Sequence, residues 1–162
     1  MTRDDRKVRA DEADFERYVH AARIALFFAR SEASELGSLS IGTEHFLLGI
    51  IRAGDETTDG IFERAQLSAD TVRAALGTPR PWVPEHVEMP INAEGRQALI
   101  DAQAEAARLG DNVSSVHLLL GVLRQEKSIA ATVLAQYGVT VDGVRDEVAR
   151  RSRGGNLDAD VR

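Results

Sequence analysis

The chain contains the same unit twice, and this duplication limits the possible folds more than any other feature. Residues 23–37 align with residues 96–110 at an offset of 73. One residue is then dropped, and residues 45–52 align with residues 117–124 at an offset of 72. Because repeated units bury a continuous core by stacking on each other, the duplication predicts one domain with a pseudo-twofold axis.

Each copy has the pattern of four helices. The first is predicted at residues 14–36 and 92–109, where apolar residues recur at helical spacing, and it ends at Gly37 or Gly110. The second helix of each copy is predicted to begin at the N-cap Thr43 or Ser115. The third helix is predicted at residues 57–64 and 128–137. The fourth is predicted at residues 69–76 and 141–151, preceded by Ser68 and Thr140. No alternating pattern typical of strands competes, so the predicted fold class is all-α, with two tandem four-helix repeats.

The duplication also divides the chain into segments. The first repeat is predicted at residues 14–77 and the second at residues 91–151, joined by a Pro-rich connector at residues 78–90. Charged segments flank the repeats, at residues 1–13 and 152–162. These two segments are predicted to be solvated tails.

Two glycines and the single tryptophan carry predictions about packing. Gly49 and Gly121 occupy the same place inside the second helix of each copy, where glycine costs about 1 kcal/mol relative to alanine. We expect another helix to approach closely at both points. Trp82 lies in the connector, and we expect it to fill the seam between the repeats rather than to contact a peptide.

The composition argues against several classes of protein. The net charge of −6 lacks the basic surplus expected of a nucleic-acid binder. The absence of cysteine excludes disulfides and thiolate chemistry and predicts a cytoplasmic localisation. No apolar run is long enough to span a bilayer, and no signal peptide is recognisable, so no membrane partner is expected.

The sequence offers no constellation of catalytic or metal-binding residues. His45 and His117 each stand alone at the start of an apolar helix, without a second histidine four residues away, and they are predicted to be structural. Ser114 and Ser115 lie too close to His117 along the helix to form a nucleophile and base pair. We therefore predict a non-enzymatic protein without a cofactor or metal.

One block of residues resembles a known family. The string Ile-Gly-Thr-Glu-His-Phe-Leu-Leu-Gly at residues 41–49, its altered copy at residues 114–121 and the preceding helix that ends in Leu-Gly resemble the Clp N-terminal domain of the ClpA, ClpB and ClpC unfoldases. The resemblance covers about residues 15–150. The family's domain sits on an ATP-driven unfoldase and captures adaptors or substrates. No phosphate-binding G-x-x-x-x-G-K-[ST] loop occurs in this sequence, so the resemblance implies a stand-alone recognition module without the ATPase.

The resemblance also implies candidate ligand-binding residues. In the ClpC branch the Glu of the Thr-Glu-His motif receives the guanidinium of a phosphorylated arginine, and Glu44 occupies that position, preceded by Thr43. The family's early Thr falls on Val19 and Asn92, and Val116 replaces the second Glu. The implied site is therefore complete in neither repeat.

A second family site implies further candidates. Cyclic-peptide antibiotics bind actinobacterial ClpC near the starts of the two first helices, which correspond here to Tyr18, Val19, Ile91 and Asn92. The function expected first is recognition of adaptors, substrates or the unfoldase itself in Clp-type proteolysis. The alternatives are a sponge for cyclic-peptide antibiotics and a phosphoarginine sensor that uses the first repeat.

Overall fold

A computed structural model describes residues 16–159, with side chains through residue 154. Eight α-helices follow one another in this part of the chain: α1 His20–Glu35, α2 Thr43–Ala53, α3 Glu56–Ala65, α4 Ala69–Ala75, α5 Ala93–Arg108, α6 Ser115–Leu123, α7 Ile129–Gln136 and α8 Val141–Ala159. Only two isolated β-bridges accompany the helices within the described residues. The predicted all-α class of two four-helix repeats is confirmed.

Several helix ends lie where the sequence places them. Gly37 and Gly110 follow α1 and α5 with left-handed φ angles of 71° and 68°, which close the helices without a Cβ clash. The hydroxyls of Ser68 and Thr140 accept hydrogen bonds from backbone N–H groups three residues on, at 3.3 and 3.1 Å. These serine and threonine caps open α4 and α8 as predicted.

Four predicted helix limits are wrong. The first helix begins at His20 and not at residue 14, because the chain just before it pairs with a distant loop; residues 14 and 15 lie outside the described residues. The N-caps of α2 and α6 are Gly42 and Ser114, so Thr43 and Ser115 are the first helical residues. The last helix continues to Ala159, into the predicted tail, because Arg150 and Arg151 bind Glu147 one turn earlier and no proline interrupts residues 152–159.

The helices α2 and α6 form the buried centre, and each packs against the long first helix of its own repeat. A Cβ on Gly49 would lie far inside contact distance of the carbonyl oxygen of Ala25, and one on Gly121 would do the same with Ala98. The close helix approach predicted at both glycines is confirmed. The interdigitated core therefore depends on having no side chain at these two positions.

Two crossed bridges relate the repeats. Tyr18, before α1, pairs with Val113, which precedes α6 of the other repeat. Ile91, before α5, pairs in the same way with Ile41, which precedes α2. These four residues correspond under the 73 and 72 offsets, so the bridges are the two halves of one pseudo-twofold arrangement.

The connector covers the C-terminal end of α1 and does not insert its tryptophan. Trp82 is 60% exposed, which contradicts the expectation that it fills the seam. Val83 and Met89 are buried instead, and the guanidinium of Arg30 donates to the carbonyls of Glu85 and Val87 at 2.9 and 2.7 Å. Smaller apolar side chains thus anchor the connector while the indole ring faces solvent.

No helix in the described part of the chain combines the length and the apolar character needed to cross a bilayer.

Candidate functional site: the two repeat junctions

The six candidate residues fall into two groups, which lie at the crossed bridges. The first junction, residues 41–44 with residues 90–94, contains Thr43, Glu44, Ile91 and Asn92. It is held by backbone hydrogen bonds of 2.9 Å from Ile41 N–H to the carbonyl of residue 90 and from Asn92 N–H to the carbonyl of Ile41. At each junction the start of a first helix therefore meets the start of a second helix from the other repeat.

The second junction, residues 17–21 with residues 113–116, contains Tyr18 and Val19. The Val19 N–H donates to the carbonyl of Val113 at 2.9 Å. Tyr18 is buried, and its hydroxyl accepts a 3.0 Å hydrogen bond from Gln103. Val19 is 38% exposed and is the accessible candidate at this junction.

Two carboxylates lie together at the first junction. The buried hydroxyl of Thr43 donates to Oε1 of Glu94 at 2.8 Å, across the boundary between the repeats. The side chain of Glu44 is 25% exposed and lies over Gly42, where an added Cβ would be 2.6 Å from Glu44 Oε2 and 2.9 Å from Asn92 Nδ2. Among the described residues neither Glu44 nor Glu94 forms an ion pair with an arginine or lysine. The junction therefore presents negative charge without a basic partner, a chemistry suited to binding a cationic group.

The second junction keeps the backbone geometry and loses both carboxylates. Ala21 aligns with Glu94, and Val116 aligns with Glu44. Ser115 aligns with Thr43, and its fully buried hydroxyl has no hydrogen-bond partner in the described part of the chain. The missing partner has a direct cause, since an alanine methyl group stands where the other repeat has a carboxylate.

The two histidines have a structural role, as predicted. Nδ1 of His45 accepts a 2.9 Å hydrogen bond from the Gly42 N–H, and Nδ1 of His117 accepts one of 3.0 Å from the Ser114 N–H. Burial lowers the pKa of both imidazoles below the ordinary value of 6.5, against the opposing charges of nearby carboxylates. Each ring is thus held neutral as an acceptor for the first backbone donor of its helix.

Two buried ion triads were not predicted from the sequence. The carboxylate of Glu32 is fully buried and accepts hydrogen bonds from Arg52 at 3.1 Å and from Arg73 at 2.6 and 3.2 Å. The second repeat has the same arrangement, formed by Glu105, Arg124 and Arg145. The sequence did contain a signal for the triads, because all six residues align between the two copies. Only the structure shows that their side chains contact one another.

The charge of Glu105 is maintained by its partners. Burial alone would raise the pKa of this carboxyl, but the hydrogen bond and the charge of Arg145 lower it below its ordinary value. The triads connect α1 to α2 and α4 in the first repeat and α5 to α6 and α8 in the second. The triads stabilise the scaffold that positions the junctions.

Among the described residues, no group of acidic or histidine side chains has the arrangement of a metal site.

The fold and the junctions together define a duplicated four-helix domain with its candidate binding groups at the contacts between repeats. The family model of the Clp repeat (R) N-terminal domain matches residues 17–115 and residues 90–156. The chain belongs to this family.

The curated relatives are much longer proteins. The chain is 33% identical over 143 residues to the chloroplastic chaperone protein ClpC of Pisum sativum, and 32% identical over 144 residues to the chloroplastic ClpA homolog of Brassica napus. These alignments cover 85% and 86% of this chain but 15% and 16% of the relatives. Both relatives are chloroplastic, so the cytoplasmic localisation stays a prediction.

Solved structures show the same fold. The N-terminal domain of the chaperone ClpD from Arabidopsis thaliana has a TM-score of 0.66 at 20% identity, with 86% of this chain and 96% of that chain covered. The Hsp104 N-terminal domain from Candida albicans has a TM-score of 0.65 at 18% identity, with 80% and 87% covered. The chain thus has the fold of these N-terminal domains over most of their length.

Proposed function

We propose that this chain is a non-catalytic recognition module of Clp-type proteolysis that binds segments of adaptors, of substrates or of the unfoldase itself. The observation that carries the proposal is membership of the Clp repeat family over both repeats, in a chain that spans about 15% of the length of its curated relatives. Recognition of protein segments is the role that this family membership supports best.

The first junction is the proposed contact for a cationic group of the bound segment. Glu44 is accessible and lacks a basic partner among the described residues, so its carboxylate is available for a bidentate contact with a guanidinium. Thr43 is fully buried and donates to Glu94, so its proposed role is to position the second carboxylate and not to contact the ligand. Asn92 accepts from the Gly95 N–H at 2.8 Å and caps α5 at the edge of the same site.

Phosphoarginine is a second candidate ligand, and the accessible carboxylate of Glu44 favours it. The guanidinium of phosphoarginine would meet Glu44, as the family resemblance implies. The neighbouring Glu94 would repel the phosphoryl group, so we expect an unmodified arginine to bind more tightly than phosphoarginine at this junction.

The proposal is tested by affinity capture from the cytosol of the source cell. Recovery of a Clp unfoldase, a Clp adaptor or known Clp substrates is the expected result, and their absence from repeated captures would contradict the proposal. Calorimetric titration with a cyclic-peptide antibiotic tests the sponge alternative, in which Val19 and Ile91 would contact the peptide. An absence of heat in that titration would remove this alternative.

A substitution at Glu44 tests the first junction directly. We expect Glu44→Gln to weaken binding of an arginine-containing partner peptide about tenfold, because a charge-assisted contact is replaced by a neutral one. The measurement is fluorescence anisotropy with the labelled peptide. Glu126→Gln, at an exposed acid between α6 and α7, is the matched control and should leave affinity unchanged. Equal affinities for all three proteins would exclude Glu44 from the site.

A further inference from the structure

The C-terminal ends of α1 and α5 correspond under the pseudo-twofold, but the described part of the chain covers only the α1 end. At the α1 end, the N–H groups of Val83 and Arg80 donate to the carbonyls of Ser34 and Leu36 at 3.0 and 3.2 Å. The connector thus binds this end as a short extended segment. The carbonyl of Leu36 has no other donor among the described residues, whereas that of Ser34 also accepts from the Gly37 N–H at 3.1 Å.

The fit of the connector is close. A Cβ on Gly37 would lie 2.5 Å from the carbonyl oxygen of Pro81 and 2.7 Å from the carbonyl carbon of Arg80. The absence of a side chain at Gly37 therefore lets the connector backbone lie directly on the helix end. Val83 is buried beside it, while Trp82 points to solvent.

The matching end of α5 has the same backbone conformation, and no segment between residues 16 and 159 lies on it. Gly110 has the same left-handed conformation as Gly37, but no described atom lies within 4 Å of a Cβ built on it. Leu109 is 60% exposed, whereas its counterpart Leu36 is partly buried. Ala107 is exposed, whereas its counterpart Ser34 is buried. No described residue donates to the carbonyl of Leu109, the counterpart of the carbonyl that binds Arg80.

We propose that the end of α5, residues 107–110, is a docking site for a short extended segment of a partner protein that carries a buried aliphatic side chain. The segment binds as residues 80–83 bind to α1, by donating backbone N–H groups to the carbonyls of Ala107 and Leu109 and placing its aliphatic side chain against Leu109. This assignment rests on the proposed function, recognition of protein segments, and adds a site and the chemistry of its ligand.

The expected segment is short. In the first repeat Arg30 extends the contact by binding the carbonyls of Glu85 and Val87. Its counterpart Gln103 donates instead to the Tyr18 hydroxyl at 3.0 Å, so it does not serve a longer segment. About four residues, matching the span of residues 80–83, are therefore the core of the ligand.

The connector supplies the probe. A synthetic peptide with the sequence of residues 78–87 is titrated into the full-length isotopically labelled protein, and amide chemical shifts are followed by NMR. We expect saturable shift changes centred on residues 107–111. Leu109→Asp should weaken binding at least tenfold, because it replaces the apolar wall with a charge. Ile129→Asp, at a residue that is 53% exposed at the start of α7, is the control and should leave peptide binding unchanged.

Three results would overturn the assignment. Absence of shift changes both before and after deletion of residues 1–15, or changes confined to residues 34–37 through exchange with the bound connector, would show that the α5 end does not bind such a segment. Binding seen only after deletion of residues 1–15 would show that the chain's own N-terminal segment, and not a partner, is the occupant. Capture of Clp partners by the Leu109→Asp variant at the wild-type level would refute this site while leaving the proposed function intact.

Discussion

Thr43 and Ser115 hold matching positions in the two repeats, yet their hydroxyls have different surroundings. Thr43 donates to Glu94, whereas the buried hydroxyl of Ser115 faces the helix start where Ala21 replaces the carboxylate. A buried polar group without a partner costs about 1–3 kcal/mol. The second junction therefore carries a local cost that the first junction avoids.

Ala21→Glu should repair this defect. The new carboxylate would accept from Ser115 and would also lie in the first turn of α1, which has no acidic residue. We expect the free energy of unfolding in urea to rise by about 1 kcal/mol. In a Ser115→Ala background only the smaller helix-dipole effect should remain, and an equal gain in both backgrounds would contradict the pairing.

Gly49 sets the distance between α1 and α2. Gly49→Ala would force a methyl group onto the carbonyl of Ala25, and overpacking of this kind costs about 1–3 kcal/mol. Gly154→Ala, in α8 with nothing within 4 Å of the added Cβ, is the matched control. It should stabilise the protein slightly through helix propensity. Thermal unfolding of both variants measures the difference, and equal shifts in Tm would rule out the packing role.

At the scale of the helices, α4 has seven residues and is attached through the buried side chain of Val72 and through an ion pair. Arg73 joins it to the buried Glu32 on α1. Arg73→Met should leave Glu32 with Arg52 alone and detach α4, so amide exchange at residues 71–76 should accelerate before the rest of the molecule opens. Arg80→Met removes an exposed arginine that makes no side-chain hydrogen bond among the described residues and should leave this exchange unchanged. Uniform acceleration in Arg73→Met would argue against local detachment.

Local sequence signals were enough to predict the helices. Gly37 and Gly110 end helices, and Ser68 and Thr140 begin them, through contacts with residues only a few positions away. The start of α1 could not be predicted, since Tyr18 and Val19 are held outside the helix by pairing with Val113 about a hundred residues away. The prediction that Trp82 fills the seam was wrong for a similar reason, because its exposure depends on which side chains of the connector face α1. At the candidate site, Glu44 was predicted from its motif, but Glu94 was missed because its relevance arises only across the junction.

The whole molecule should lose stability in mild acid. Burial lowers the pKa of His45 and His117 in the folded state, so the unfolded chain takes up protons that the folded chain excludes. Their contribution is fully present above pH 6.5 and is lost as the pH falls below that value. The lowered pKa of Glu105 adds a loss in the same direction at more acidic pH, below the ordinary carboxyl value of 4.5.

Urea unfolding between pH 7.5 and about pH 3 tests this prediction. The double variant His45→Asn and His117→Asn, in which the amide oxygens can still accept from the backbone, should flatten the pH dependence between 6.5 and 5. The dependence below pH 4.5 should persist, since it belongs to carboxylates. A wild-type protein with constant stability from pH 7.5 to 5 would show that the histidines are not held neutral.

The crossed bridges make the contact between the repeats isologous, as in a twofold homodimer, although it lies within one polypeptide. Each backbone contact made by the first repeat is repeated, after rotation, by the second. A perfectly symmetric dimer would have to present two identical junctions, and any change in its sequence would alter both. Covalent linkage of the two copies removes that restriction, so one junction carries two carboxylates while the other carries none, and two ligand preferences can evolve independently on a single scaffold.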